Sequence, residues 1–152
     1  MATSFLSEVL TGTHNFGVAP IRAATTADTF RAALYLASAT VNASTTVYST
    51  TGEVTGSGYT AGGITVTNGT PPTATNASTT AGVGFWTSSG SLVYTTVTLA
   101  TAFDAVLIYI STQSNRAVSV HTFGSQTVTA GTFTLTMPAN TTTTALLRLA
   151  TT

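Results

Sequence analysis

Six side chains in this sequence could ligate a metal or move a proton near neutral pH: His14, His121, Glu8, Asp28, Glu53 and Asp104. Cysteine is absent, which removes thiolate ligation, thiol catalysis and disulfides together. A zinc centre needs three or four ligands, and the six candidates are scattered along the chain. His121 alternates with Ser119 and Phe123, the setting of a packed or surface imidazole on a strand. A Ser–His–Asp arrangement could draw on 14 serines, yet no G-x-S-x-G turn exists to strain and expose one of them. Paired carboxylates for glycoside hydrolysis would have to come from Glu8, Asp28, Glu53 and Asp104, and nothing in their spacing couples them. A structural ion pair with an arginine is the simpler use for these groups. The expectation is a protein with no catalytic residue, no metal and no cofactor.

Three weaker motifs have plain readings. Gly56-x-Gly58-x-x-Ala61 matches a relaxed dinucleotide fingerprint, which works only as a turn from strand into helix. Here Gly62, Gly63 and a β-like segment follow, so the glycines are expected to serve tight turns or close backbone approach. Four N-x-[ST] sequons, at Asn42, Asn68, Asn76 and Asn140, fit a composition this rich in Ser and Thr. Tyr48, Tyr59, Phe85 and Trp86 stand near loops, where they could stack on a sugar or fill a core.

The elements that would position these groups must be built from an unusual composition. Only 5% of the 152 residues are charged, against about 25% in ordinary soluble domains. Lysine is absent, and Arg22, Arg31, Arg116 and Arg148 form no basic stripe of the kind nucleic-acid binding needs. Net charge is zero, 38 residues are threonine, and mean hydropathy is +0.36, too apolar for intrinsic disorder. The longest apolar run, Ala105 to Ile110, is far too short to cross a membrane as a helix. The first ten residues lack a basic stretch ahead of a long apolar one, so no secretory signal is expected. Sheet edges are commonly guarded with lysine, and this chain has none to spend; covered edges, by the fold or by a partner, are the expectation.

The dominant hydropathy period is two. Gly131 to Met137 sets Phe133, Leu135 and Met137 on one face against Thr132, Thr134 and Thr136 on the other, as in a half-buried antiparallel strand. Ile64 to Thr67 and Ser91 to Ala100 repeat the pattern. Phe103 to Ile110 is apolar on both faces, which suits a central strand or one with a face in an interface. Arg116 to Phe123 follows across Ser111–Asn115 as a hairpin partner, and Thr144 to Ala150 reads as a last strand. Asp28 to Ala39 fits a helix capped by Asp28 or a strand, and the all-β surroundings favour the strand. Asn42–Gly63, Asn68–Thr80 and Asn140–Thr144 read as loops. The expected fold is one all-β domain, an antiparallel β-sandwich of jelly-roll type with about eight strands, over residues 28–152. Residues 1–27 are expected to form an arm with a short helix, since Phe5, Leu6, Val9 and Leu10 stand at helical spacing.

The runs Asp28-Thr29-Phe30-Arg31-Ala32-Ala33-Leu34-Tyr35, Tyr48-Ser49-Thr50-Thr51-Gly52-Glu53-Val54 and Gly56-Ser57-Gly58-Tyr59-Thr60-Ala61-Gly62-Gly63 resemble small structural proteins encoded beside the capsid genes of tailed bacteriophages. Ala105-Val106-Leu107-Ile108-Tyr109, Arg116-Ala117-Val118, Phe123-Gly124, Gly131-Thr132-Phe133-Thr134 and Leu146-Leu147-Arg148-Leu149 extend the resemblance over most of the chain. Between Ile64 and Phe85 the sequence departs from that pattern and reads as a longer exposed tip. The resemblance implies a non-enzymatic virion protein, most simply a capsid decoration or cement protein on the outer face of the head, assembled in the host cytoplasm. Its implied partners are the phage major capsid protein and itself, as a dimer or trimer, without nucleic acid or membrane. A stable contact would bury roughly 800 Å² per partner. Phe5, Leu6, Val9, Leu10 and Phe16 are the candidate interface residues, on an arm laid across a neighbour. Another virion role in neck, tail or head fibre is the first alternative, and a carbohydrate-binding adhesin the second.

Overall fold

The computed structural model describes residues 1–2, 5, 28–67, 73–75, 82–88 and 90–150. These residues form seven strands in two antiparallel sheets: β1 (Phe30–Leu36), β2 (Ile64–Thr65), β3 (Thr73–Ala74), β4 (Val83–Trp86), β5 (Leu92–Ile110), β6 (Arg116–Leu135) and β7 (Leu147–Ala150). One sheet runs β2-β1-β5-β6, the other β3-β4-β7. The all-β antiparallel class expected from the sequence is therefore present.

The ambiguous segment after Asp28 is a strand. β1 sits between β2 and β5, with Phe30 opposite Ile110 and Leu36 opposite Phe103. Both of its faces are buried over Ala32–Tyr35, and an interior position in a sheet overrides the helical preference of its alanines and leucines. Phe103–Ile110 has the two-sided burial expected of a central strand, with only Asp104 less than fully covered. The turn at 111–115 closes the expected hairpin, with Ser114 and Asn115 both at positive φ.

The strand count departs from the expected eight because segments that read as separate strands are continuous. Ser91–Ala100 runs on into Phe103–Ile110 as β5, and Arg116–Phe123 runs on into Gly131–Leu135 as β6. The intervening small and polar residues shift the register, between Tyr94 and Val97 and again up to Ala105, without ending the ladder. Thr96 and Ala130 take positive φ there, and the Ala130 N–H is satisfied by Thr98 Oγ1 at 3.1 Å. Extra residues bend and twist a hairpin where a proline would have stopped it.

The core gathers on β1 and the second half of β5, with Phe30, Leu34, Phe103, Leu107, Ile108 and Ile110 almost fully buried. Trp86 of β4 is 2% exposed and packs on Phe30 at a ring separation of 5.3 Å, tying the smaller sheet to the larger. Leu147 of β7 and Ala2 belong to the same core. Phe5, the one described residue of the expected N-terminal turn, has helical backbone and donates its N–H to the Ala2 carbonyl at 3.2 Å. Among the described residues no helix is long and apolar enough to cross a membrane.

Candidate functional site

The irregular segment between β1 and β2 is where polar side chains converge. Gly52–Val54 runs beside β1, with Leu36 N–H on the Gly52 carbonyl at 2.9 Å and Val54 N–H on the Leu34 carbonyl at 3.0 Å. This places the Glu53 side chain under the loop, 5% exposed. Its carboxyl group accepts three hydrogen bonds: from Tyr48 Oη at 2.6 Å, Tyr59 Oη at 2.7 Å and Gly62 N at 2.7 Å. The Gly62 carbonyl in turn accepts from Tyr109 Oη at 2.9 Å and Arg31 Nε at 3.0 Å, and Arg31 Nη2 reaches the Gly63 carbonyl at 2.6 Å. Glu53 and Arg31 thus hold opposite ends of one glycine residue. Glu53 and Arg31 therefore meet through the Gly62 backbone and not as a direct ion pair.

All five tyrosines of the chain take part. Tyr59 Oη also accepts from Leu34 N at 3.0 Å, Tyr94 Oη donates to the Ala32 carbonyl at 2.8 Å, and Tyr35 Oη donates to the Ser49 carbonyl. Tyr48 stacks on Tyr109 at 4.6 Å and Tyr59 on Tyr94 at 6.0 Å. Burial, reinforced by the Glu53 charge and opposed by the hydrogen bond to Ser49, pushes Tyr35 up to about 12. Burial likewise raises Tyr48, Tyr59, Tyr94 and Tyr109, with Glu53 reinforcing each. A carboxyl that accepts three internal hydrogen bonds at 5% exposure serves as a structural acceptor. The cluster fastens the loop to the sheet.

Asp28 and His121 are also occupied, and Asp104 is half-buried on β5. Asp28 accepts from Thr112 Oγ1 and Gln113 Nε2, both at 2.8 Å. His121 lies opposite Val106 and shares a 2.9 Å hydrogen bond with Ser119, which is fully buried. Burial, and then the N-terminal ammonium, lower the His121 pKa. The groove of about 210 Å³ beside it is lined by apolar and hydroxyl groups, among them Leu135, Met137, Thr144 and Leu146, with no carboxylate. Among the described residues no cluster of His, Asp and Glu could hold a metal ion. His14 and Glu8 lie outside the described residues.

Gly56 and Gly58 lie against β5: a Cβ on Gly56 would meet the Thr98 carbonyl oxygen at 2.0 Å, and one on Gly58 the Thr96 oxygen at 2.2 Å. They serve close backbone approach, and the Ser57 carbonyl takes the Thr98 N–H at 2.9 Å. Of the four aromatics near loops, Trp86 fills the core, Tyr48 and Tyr59 are held by Glu53, and Phe85 is half-buried. Their rings are not assembled as a sugar-stacking platform.

Of the candidate interface residues, Leu6, Val9, Leu10 and Phe16 lie outside the described residues. Phe5 lies in the chain's own core at 1% exposure rather than on offer to a neighbour. Apolar residues at helical spacing serve a core as readily as an interface, so spacing alone did not separate the two. The site that sequence reasoning missed is the tyrosine cluster; its available signal was Tyr48, Glu53 and Tyr59 crowded into one glycine-rich loop of a chain nearly free of charge. No family model matches the chain, no curated protein matches it, and no solved structure matches it, so its own residues carry the functional argument.

Proposed function

We propose that the chain is a non-enzymatic structural protein of a tailed-bacteriophage virion. Its role in this reading is that of a capsid decoration or cement protein on the outer face of the major capsid protein shell. The two sheets are taken as the layers of a β-sandwich of jelly-roll type, and self-association as a dimer or trimer is part of the same reading. The support is the resemblance of its sequence runs to such proteins, together with one observation. Glu53, Asp28 and His121 are consumed by internal hydrogen bonds, while half of the exposed positions of β5 and β6 are threonine: Thr95, Thr96, Thr101, Thr122, Thr127, Thr129, Thr132 and Thr134. Such a surface suits binding through hydroxyl and apolar contacts, with little dependence on salt.

Quantifying the chain in purified particles tests the proposal. Copies in proportion to coat subunits, retained through a salt wash, support it. A single ring's worth of copies moves the role to neck, tail or fibre, and absence from the particle rejects a virion role.

A further inference from the structure

We propose that two copies of this chain pair antiparallel through the outer edge of β6, about a two-fold axis at Phe133, joining two four-stranded sheets into one. β6 is the last strand of its sheet. The beginning of its outer edge is already used: Ala117 N–H donates to the Thr46 carbonyl at 2.9 Å, Tyr48 N–H to the Asn115 carbonyl at 2.8 Å, and Ala2 N–H to the Val118 carbonyl at 2.8 Å. From Val120 to Leu135, no backbone group among the described residues pairs with that edge.

The devices that normally guard an edge are missing on this stretch. No Lys, Arg, Asp or Glu occurs between Arg116 and Arg148, and the first proline is Pro138, beyond the end of the strand. The bulge at Ala130 twists the middle of the edge, and beyond it Gly131–Leu135 lies opposite Val97–Leu92 of β5, where the extra residue, at Thr95–Thr96, is on β5 and not on β6.

That run is complementary to itself. Paired antiparallel about Phe133, Thr132 lies opposite the partner's Thr134, and Gly131 opposite the partner's Leu135, so hydroxyl meets hydroxyl and the largest aliphatic meets the smallest residue. With no charge on the run and no net charge on the chain, two copies approach without repulsion. The apolar face beside the edge is unfinished. Phe123, Val128, Phe133 and Leu135 are only half-buried, and Phe133 is already fixed against Phe103 at 5.0 Å and Phe123 at 5.5 Å. A second β6 covers this face and satisfies the edge in one step, which is why a second copy is the occupant to name.

The inference deepens the self-association part of the proposed function. It is tested on the isolated full chain, so its failure is separable from particle stoichiometry. Sedimentation equilibrium should give a dimer. Thr132 and Thr134 are exposed, so replacing them leaves the fold intact, as thermal unfolding followed by Trp86 emission would verify. The double variant Thr132→Lys with Thr134→Lys sets like charges opposite each other twice and should weaken the dimer at least about tenfold, as should the corresponding double Glu variant. Thr132→Lys with Thr134→Glu sets opposite charges across the axis and should dimerise again, and mixing the double Lys and double Glu chains should yield a mixed dimer. A monomeric parent, or a Lys/Glu variant as dissociated as the double Lys variant, overturns the proposal.

Discussion

Replacing Glu53 by alanine removes one acceptor from three donors: the buried Gly62 N–H and the part-buried Tyr48 and Tyr59 hydroxyls. A hydrogen bond to a charged group contributes about 1.5–3 kcal/mol net, and each donor left buried without an acceptor adds a desolvation cost. The three share one network and do not add in full, so the expected loss is about 4 kcal/mol. Against a total stability of about 5–15 kcal/mol for a domain, that is a large fraction. For a chain of this size it lowers Tm by about 12 °C, at roughly 3 °C per kcal/mol. Glu53→Gln keeps the shape and one carbonyl oxygen, which can serve Tyr59 and Gly62 together, while the Tyr48 hydroxyl turns to accept from the amide. Its cost should be about 1.5 kcal/mol. The assay is equilibrium denaturation read by the single tryptophan, Trp86, whose buried indole reports the core. Combining Glu53→Ala with Arg31→Met should cost less than the sum, because both act on Gly62. An alanine variant within about 1 kcal/mol of the parent, or one indistinguishable from the glutamine variant, would refute the assignment of Glu53 as the fastening of the loop.

Gly63 has φ +67°, and a Cβ there would meet the Ala32 carbonyl oxygen at 1.6 Å, so Gly63→Ala should cost at least about 3 kcal/mol; Gly90→Ala, with open space around it, should be near neutral in the same melts. Stability should fall on the alkaline side: the unfolded chain releases tyrosine protons from about pH 10, while the folded chain keeps them, on Tyr35 up to about 12, so unfolding free energy declines through that window by up to about 1.4 kcal/mol per pH unit for each retained proton. Tyrosinate absorbance should then rise together with loss of structure, and a gradual rise in the native protein would contradict this. Phe5→Ala should destabilise the isolated chain by about 3–5 kcal/mol, as loss of a core aromatic does, whereas a residue reserved for a neighbour would leave its melting unchanged.

The β class, the two-sided burial of Phe103–Ile110 and the hairpin at 111–115 were legible in the sequence because each is a local period or a local turn. The continuity of β5 and β6 was not, since Gly124-Ser125 and Ala130-Gly131 have the composition of strand ends and act here as places where the register slips. Periodicity could not decide Asp28–Ala39 either, because a strand buried on both faces loses its alternation. The role of Glu53 was hidden for a different reason: its donors come from Tyr48, Tyr59 and Gly62, but the scaffold around them comes from Arg31, Tyr94 and Tyr109, brought together only by the pairing of β1 with β5. A short-range motif search has no access to groups joined that way.

The β5–β6 hairpin also sets an order of events in folding. Closing the turn at 111–115 joins residues only a few positions apart, and the ladder from Ile110 and Arg116 outward can then zip with little further loss of chain entropy. β1 must close a much longer stretch of chain to reach β5, and the loop carrying Glu53 has nothing to fasten to until β1 is in place. Changes near Ser114 and Asn115 should therefore slow the folding arm of a chevron, whereas changes at Glu53 should chiefly quicken unfolding.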